Sequence, residues 1–132
     1  MPLAAITRLR VRHWRFLPPF VVITFRALRQ VRRADGCLGS DVRAKTDRVF
    51  WTRSLWRDAE AMRAYMTNGP HRVAMLRLQY WCDEASLVHW EQDALPDWSE
   101  AETQLRTAGR LSRVRHPSAA QARGETMPSA NI

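Results

Sequence analysis

Val49-Phe50-Trp51-Thr52-Arg53-Ser54-Leu55-Trp56, running on into Arg57-Asp58-Ala59-Glu60-Ala61-Met62, is the stretch that decides the fold. The first eight residues are rich in aromatic and β-branched side chains and read as a strand. Phe50, Thr52, Ser54 and Trp56 fall on one face; Val49, Trp51 and Leu55 fall on the other. Asp58 is a good N-cap, and Met62, Tyr65 and Met66 share a stripe of the helix it starts. Just upstream, Leu38 to Arg43 reads as a shorter strand. With a turn at Lys45-Thr46-Asp47 the two strands make a hairpin.

Further upstream, Ala5-Ile6-Thr7-Arg8-Leu9-Arg10-Val11-Arg12 alternates apolar and polar residues at period two, a half-buried strand. His13 to Leu17 connects it to a helix whose first turn accommodates Pro18-Pro19. Phe20, Ile23, Ala27, Leu28 and Val31 lie on the inner stripe of that helix, with Arg26, Arg29, Arg32 and Arg33 outside it. Gly36 suits the left-handed cap that ends it. Downstream, Asn68-Gly69-Pro70 interrupts the second helix. A further piece runs from Pro70 to about Trp81, with Val73, Leu76 and Tyr80 expected inside. Ser86 to Glu91 reads as a last strand, and Trp98 to Leu105 as a short helix docked through Trp98.

Strand, helix, strand, strand, helix, strand is the order of a ferredoxin-like α+β domain. The expectation is βαββαβ: a four-stranded antiparallel sheet with its helices on one face, over residues 1–108. Residues 109–132, with scattered Pro, Gly, Ser and Arg and little apolar periodicity, read as a basic, disordered tail. Helices on one face would leave Val49, Trp51 and Leu55 wet. A homodimer packed sheet against sheet is the expected remedy.

The chain has 132 residues, enough for one domain, and a formal net charge of +8. That charge divides evenly between residues 1–105 and 106–132, and Lys45 is the only lysine among the 21 basic residues. An Arg-rich composition of this kind has a plain source in coding bias. A nucleic-acid footprint needs Arg clustered on one surface, so no nucleic-acid partner is expected. Cys37 and Cys82 form no CxxC pattern or disulfide framework, which fits a reducing compartment. The apolar run Phe16 to Phe25 is too short to span a bilayer and contains two prolines; no signal-peptide pattern is present. A cytoplasmic protein with no membrane partner is the expectation.

Leu55-Trp56-Arg57-Asp58-Ala59-Glu60-Ala61-Met62-Arg63-Ala64-Tyr65, followed by Gly69-Pro70-His71-Arg72, resembles the antibiotic-biosynthesis-monooxygenase-like branch of the dimeric α+β barrel superfamily. Thr7-Arg8-Leu9-Arg10 and Trp81-Cys82-Asp83-Glu84-Ala85-Ser86 with His89-Trp90-Glu91 look like an uncharacterised bacterial subfamily of it. The likeness covers about residues 3–105. It implies a dimer with one cavity per subunit between helices and sheet. Heme-degrading members of the superfamily use an Asn on the first strand, a Trp ending the third strand and a His ligand in the second crossover helix. Here Trp56 matches, Thr7 stands in place of the Asn, and the ligand position falls near Ala74 or Met75, with His71 about a turn too early. Heme is therefore not the expected cofactor. The resemblance implies instead a cofactor-independent monooxygenase acting on a small hydrophobic, aromatic or polyene substrate. A non-catalytic ligand-binding or structural dimer and a heme-handling protein using His71 are the alternatives.

Trp56 and His71 are the candidate catalytic residues. Trp56 reads equally as a core anchor for the following helix. His71 sits in a helix first turn, which favours its neutral form, and reads otherwise as a capping or surface residue. Thr7, Phe50, Thr52, Tyr65 and Trp14 are the candidate substrate-binding set, with Trp14 at a cavity mouth and Tyr65 alternatively core. His89, opposite in phase to Ser86, Val88 and Trp90, is expected in a polar dimer network with Glu91 and Arg8 or Arg10. Cys82 has only acidic neighbours and is a poor nucleophile. The histidines show no metal-ligand spacing, and no phosphate loop, GxSxG elbow or dinucleotide fingerprint occurs.

Overall fold

The computed structural model describes residues 1–67 and 69–128, the side chains of Gly69 and Pro70 apart. In chain order the elements are β1 (Leu3–Val11), a 3-10 turn (Trp14–Phe16), α1 (Leu17–Arg33), β2 (Cys37–Lys45), β3 (Val49–Trp56), α2 (Ala59–Met66), α3 (Gly69–Trp81), β4 (Cys82–Glu91), α4 (Trp98–Ala108), β5 (Arg110–Leu111) and α5 (Ala119–Ala122). The sheet runs β2-β3-β1-β4-β5, and every pairing is antiparallel. Its first four strands follow the expected βαββαβ order. The fifth is an addition to the four-stranded sheet that the sequence predicts.

Local signals act where the sequence places them. The Asp58 side chain accepts a bond from Ala61 N and starts α2. α1 ends at Ala34 in extended conformation, and Gly36 adopts φ +85° in the turn that follows, closed by Cys37 N donating to Ala34 O. A Cβ at Gly36 would lie 2.5 Å from the Ala61 Cβ, so the glycine also lets α2 approach. The break between α2 and α3 falls as expected, although Asn68 itself lies outside the described residues. One phase is reversed. On α3, Val73, Leu76 and Tyr80 face outward, and His71, Ala74, Met75 and Leu78 face the sheet. Apolar residues occur all round this helix, so periodicity alone cannot choose its inner side.

The two faces of the sheet carry different cores. Leu3, Val31, Trp56 and Ala61 form one cluster under α1 and α2, and Val11, Phe20 and Cys82 form another beside it. Phe50 belongs to the second, its ring 4.8 Å from Phe20. On the opposite face Ile6, Val49, Trp51 and Val88 pack against Ala101 and Leu105 of α4. Helices thus cover both faces, not one. Val49, Trp51 and Leu55 are 4%, 2% and 6% exposed within a single chain, which removes the reason for a sheet-to-sheet dimer. The cover is set by a capping box at Asp97 and Glu100 that starts α4. Arg53 helps by donating to the Pro96 carbonyl at 2.8 Å and stacking on Trp98.

The same face buries an ion pair. Arg8 Nη1 lies 2.9 Å from Glu84 Oε1, with both side chains under 5% exposed, and Arg10 reaches Glu84 Oε2 at 3.1 Å. Ser118 donates to the same oxygen at 2.8 Å. Arg8 and Arg10 therefore meet Glu84 within the chain. His89 pairs across the ladder with Ala5, on the other face, and is exposed, so it is no part of this network.

Residues 110–128, expected as part of a disordered tail, are folded around the outer edge of β4. Leu111 and Arg110 pair with Ser86 and Leu87. Val114 packs beside Leu78 and Trp81. Ser118 N donates to Asp83 O, Gln121 is buried, and Thr126 O accepts from the Ser86 hydroxyl at 2.7 Å. Met127 then packs on the Ile6–Trp51 cluster. The segment lacks apolar periodicity because it is held mainly by hydrogen bonds to one strand edge. Residues 129–132 lie outside the described residues.

Candidate functional site

Between the sheet and helices α1, α2 and α3 lies an elongated, mainly apolar cavity of about 220 Å³. Its roof is built from the inner stripes of the helices, including Ala27, Leu28 and Val31 of α1, Met62 of α2 and Met75 of α3. Its floor is the helix-facing side of the sheet, where Thr7 and Thr52 stand directly opposite each other across the β1–β3 ladder. Neither threonine hydroxyl makes a hydrogen bond among the described residues. At one end Ser112, Arg113 and Val114 line it, a contribution no sequence signal announced.

An aromatic row forms the other end. The Trp56 and Tyr65 rings are 5.4 Å apart, and Tyr65 and His71 are 5.0 Å apart. Trp56 is 2% exposed, with its indole N–H donating to the Ser54 hydroxyl at 3.0 Å. Burial pushes the Tyr65 phenol above its usual range. His71 Nδ1 lies 3.1 Å from the Met66 carbonyl. A carbonyl only accepts, so Nδ1 carries the proton and Nε2 keeps a bare lone pair. Burial lowers the His71 pKa, and the Met66 bond opposes that in part. At neutral pH the ring is uncharged. Tyr65 and His71 also border a wider, more polar hollow of about 620 Å³ that includes Arg33, Arg57 and Glu60. The pair therefore stands between an apolar interior and a wet vestibule.

Of the seven candidates read from sequence, Thr7, Thr52, Trp56, Tyr65 and His71 line the one cavity. Phe50 does not: its ladder partner Leu9 lines the cavity, but the Phe50 ring packs into the Phe20 core. Trp14 is 63% exposed, with Arg48 stacked 5.3 Å from its ring, and borders neither hollow. Cys82 is fully buried and its thiol is pushed up to about 12, first by burial and then by Asp83, which leaves it inert.

Heme does not fit this site. Ala74 and Met75 stand where the resemblance puts a histidine ligand, and His71 lies about one helical turn before them. A cavity of about 220 Å³ is also small for a tetrapyrrole macrocycle. Among the described residues no cluster of three His, Cys, Asp or Glu could hold a metal ion.

The fold has many solved counterparts. SnoaB, a cofactor-independent oxygenase from Streptomyces nogalater, superposes with a TM-score of 0.59 at 14% identity, covering 73% of this chain and 98% of its own. Rv0793 from Mycobacterium tuberculosis gives 0.64 at 12% identity over 71% of this chain and 97% of that one. An antibiotic biosynthesis monooxygenase gives 0.63 at 12% identity, over 70% and 99%. The antibiotic-biosynthesis-monooxygenase-like fold is thereby established; at such identities the likeness extends to fold alone. No curated protein matches the chain. A family model does match residues 28–114, which take in α1 from Leu28, β2 to β4 and the first residues past β5. The chain belongs to the family described as a domain of unknown function, DUF3291.

Proposed function

We propose that this chain is a cofactor-independent, monooxygenase-like oxidoreductase that oxidises a small hydrophobic phenol in the cavity between sheet and helices. The observation that carries the reading is His71: a neutral imidazole with a bare Nε2, bordering an apolar cavity walled by Trp56 and Tyr65. A base in that state can take the phenolic proton, and the electron-rich anion then reacts with O2 directly. For a bicyclic phenol such as 1-naphthol the atoms balance without a reductant. One oxygen atom enters the ring, and the other leaves as water with the phenolic and ring hydrogens, giving the quinone. Trp56 and Tyr65 would stack on the ring, Thr7 and Thr52 would bond its oxygens, and the polar hollow behind His71 would return the proton to water.

The test is oxygen uptake with 1-naphthol in the presence of a metal chelator. Turnover that falls at least roughly 100-fold in His71→Ala, with unchanged melting, supports the assignment. Full turnover in that variant overturns His71 as the base. Saturable binding of 1-naphthol without oxygen uptake would instead make the cavity a non-catalytic ligand site.

A further inference from the structure

We infer that the outer face of the α1–α3 pair docks on an anionic lipid surface. The two helices lie side by side on the sheet and together contain no Asp or Glu, although the chain has 13. Their outward residues combine two chemistries. Val22, Phe25, Val73 and Leu76 are 50%, 68%, 53% and 58% exposed. Among them on the same helices are the exposed Arg26, Arg29, Arg72 and Arg77; Arg32 and Arg33 are exposed as well, but Arg32 donates to the Ser40 carbonyl of β2 and Arg33 borders the hollow beside Tyr65. Among the described residues none of these six pairs with a carboxylate. Asp35, just past α1, faces Arg57 instead.

Charge selects the occupant. A second copy meeting this face through a two-fold axis would set its guanidinium groups against an equal set, which is repulsive. A nucleic-acid backbone would satisfy the guanidinium groups but leave Phe25 and Leu76 without an apolar partner. A bilayer with acidic headgroups offers both: phosphates for the guanidinium groups, and an acyl boundary a few ångströms deeper for the apolar side chains. Arg suits the arrangement because its stem lies along apolar surface while its head stays with phosphate. Among the described residues no helix is long and apolar enough to cross a membrane, so the contact is peripheral. The inner sides of these same helices roof the cavity, but the docking argument does not depend on catalysis.

Co-sedimentation of the full chain with vesicles tests this. Vesicles of phosphatidylglycerol and phosphatidylcholine in equal parts should bind it at least roughly tenfold more tightly than phosphatidylcholine alone, and less tightly as salt rises. Arg29→Glu with Arg77→Glu, and separately Phe25→Ser with Leu76→Ser, should each weaken binding by about tenfold or more, with far-UV spectra and melting unchanged. Absent or headgroup-independent binding overturns the inference. So does full binding by the Phe25→Ser and Leu76→Ser variant, since a surface that needs only charge suits any polyanion, including duplex RNA run alongside. A dimer in sedimentation equilibrium that Phe25→Ser dissolves, without vesicle binding, would assign the face to a second copy.

Discussion

The side-chain amide of Gln121 bonds both backbone groups of Ala85: its Oε1 accepts from Ala85 N at 3.2 Å and its Nε2 donates to Ala85 O at 3.3 Å. It stands where the peptide of a neighbouring strand would stand, and its Nε2 also donates to Ser112 O at 2.9 Å. One side chain thus continues the ladder that β5 begins.

Gln121→Ala should therefore leave the buried Ala85 N–H without a partner. The expected cost is about 1–3 kcal/mol in urea unfolding. Truncation after Leu111, which the sequence would permit freely, should lower the melting temperature by several degrees, because Val114, Gln121 and Met127 leave with it. Unchanged melting in the truncated chain would show that these contacts add nothing to stability.

Glu84 makes stability pH-dependent. Burial alone would raise its carboxyl, but the bonds from Ser118 and Arg8, with the nearby charges of Arg8 and Arg10, hold it below the usual range. A depressed folded-state pKa gives stability that is complete above the unfolded value and is lost as pH falls through the folded one. Denaturant midpoints should therefore drop below about pH 4.3, the unfolded Glu value. Glu84→Gln should flatten that drop and cost about 3–5 kcal/mol at neutral pH by stranding Arg8. Equal acid sensitivity in the variant would assign the effect elsewhere.

Trp51 and Trp56 lie on opposite faces of β3 and should respond differently. Trp51→Arg places a charge in the Ile6–Leu105 core and should unfold the chain, with a loss above about 4 kcal/mol, rather than dissociate a dimer. Trp56→Ala should cost about 3–5 kcal/mol. Trp56→Phe keeps most of the volume and isolates the indole's contribution to ligand binding. A folded Trp51→Arg monomer, seen by circular dichroism and light scattering, would contradict the covered face.

His71 should leave its mark on the pH–rate profile. Its pKa lies below the ordinary 6.5, so the neutral base persists into mildly acidic solution and activity should fall only below that value. His71→Ala should change stability by no more than about 1 kcal/mol at neutral pH. It should also remove the part of the stability loss that begins as pH drops through 6.5, where the unfolded chain takes up a proton first. A profile that breaks above pH 6.5 would point to a different base.

Much of this was legible in the chain. The alternation in β1 and β3, the inner stripe of α1, Asp58 as a cap and Gly36 as a left-handed residue are local signals, and local packing agrees with each. The Thr52, Trp56 and Tyr65 side of the cavity followed from strand and helix phase. The outward face of α3 did not, because Val73 and Leu76 look as apolar as Met75 and Leu78. Nor did the tail, whose order rests on Gln121, Ser118 and Ser86 bonding across long sequence distances. The cover on Val49, Trp51 and Leu55 was missed for the same reason: Ala101 and Leu105 are too few and too short a signal to announce that α4 packs on Trp51.

That cover also sets a schedule for folding during synthesis. Ile6 belongs to β1 in the middle of the sheet, yet its cluster is completed only by Leu105 and Met127. A ribosome adding about 5–20 residues per second needs roughly 2–8 s to pass from Val88 to Met127. For that interval the nascent sheet has β1 to β3 and most of β4 but lacks its complete second layer, and Trp51 is open to chaperones or to neighbouring chains. The same long-range closure raises the contact order and slows folding after release. A destabilised variant of α4 should consequently show its defect first as aggregation during expression, before any loss of stability is measured in purified protein.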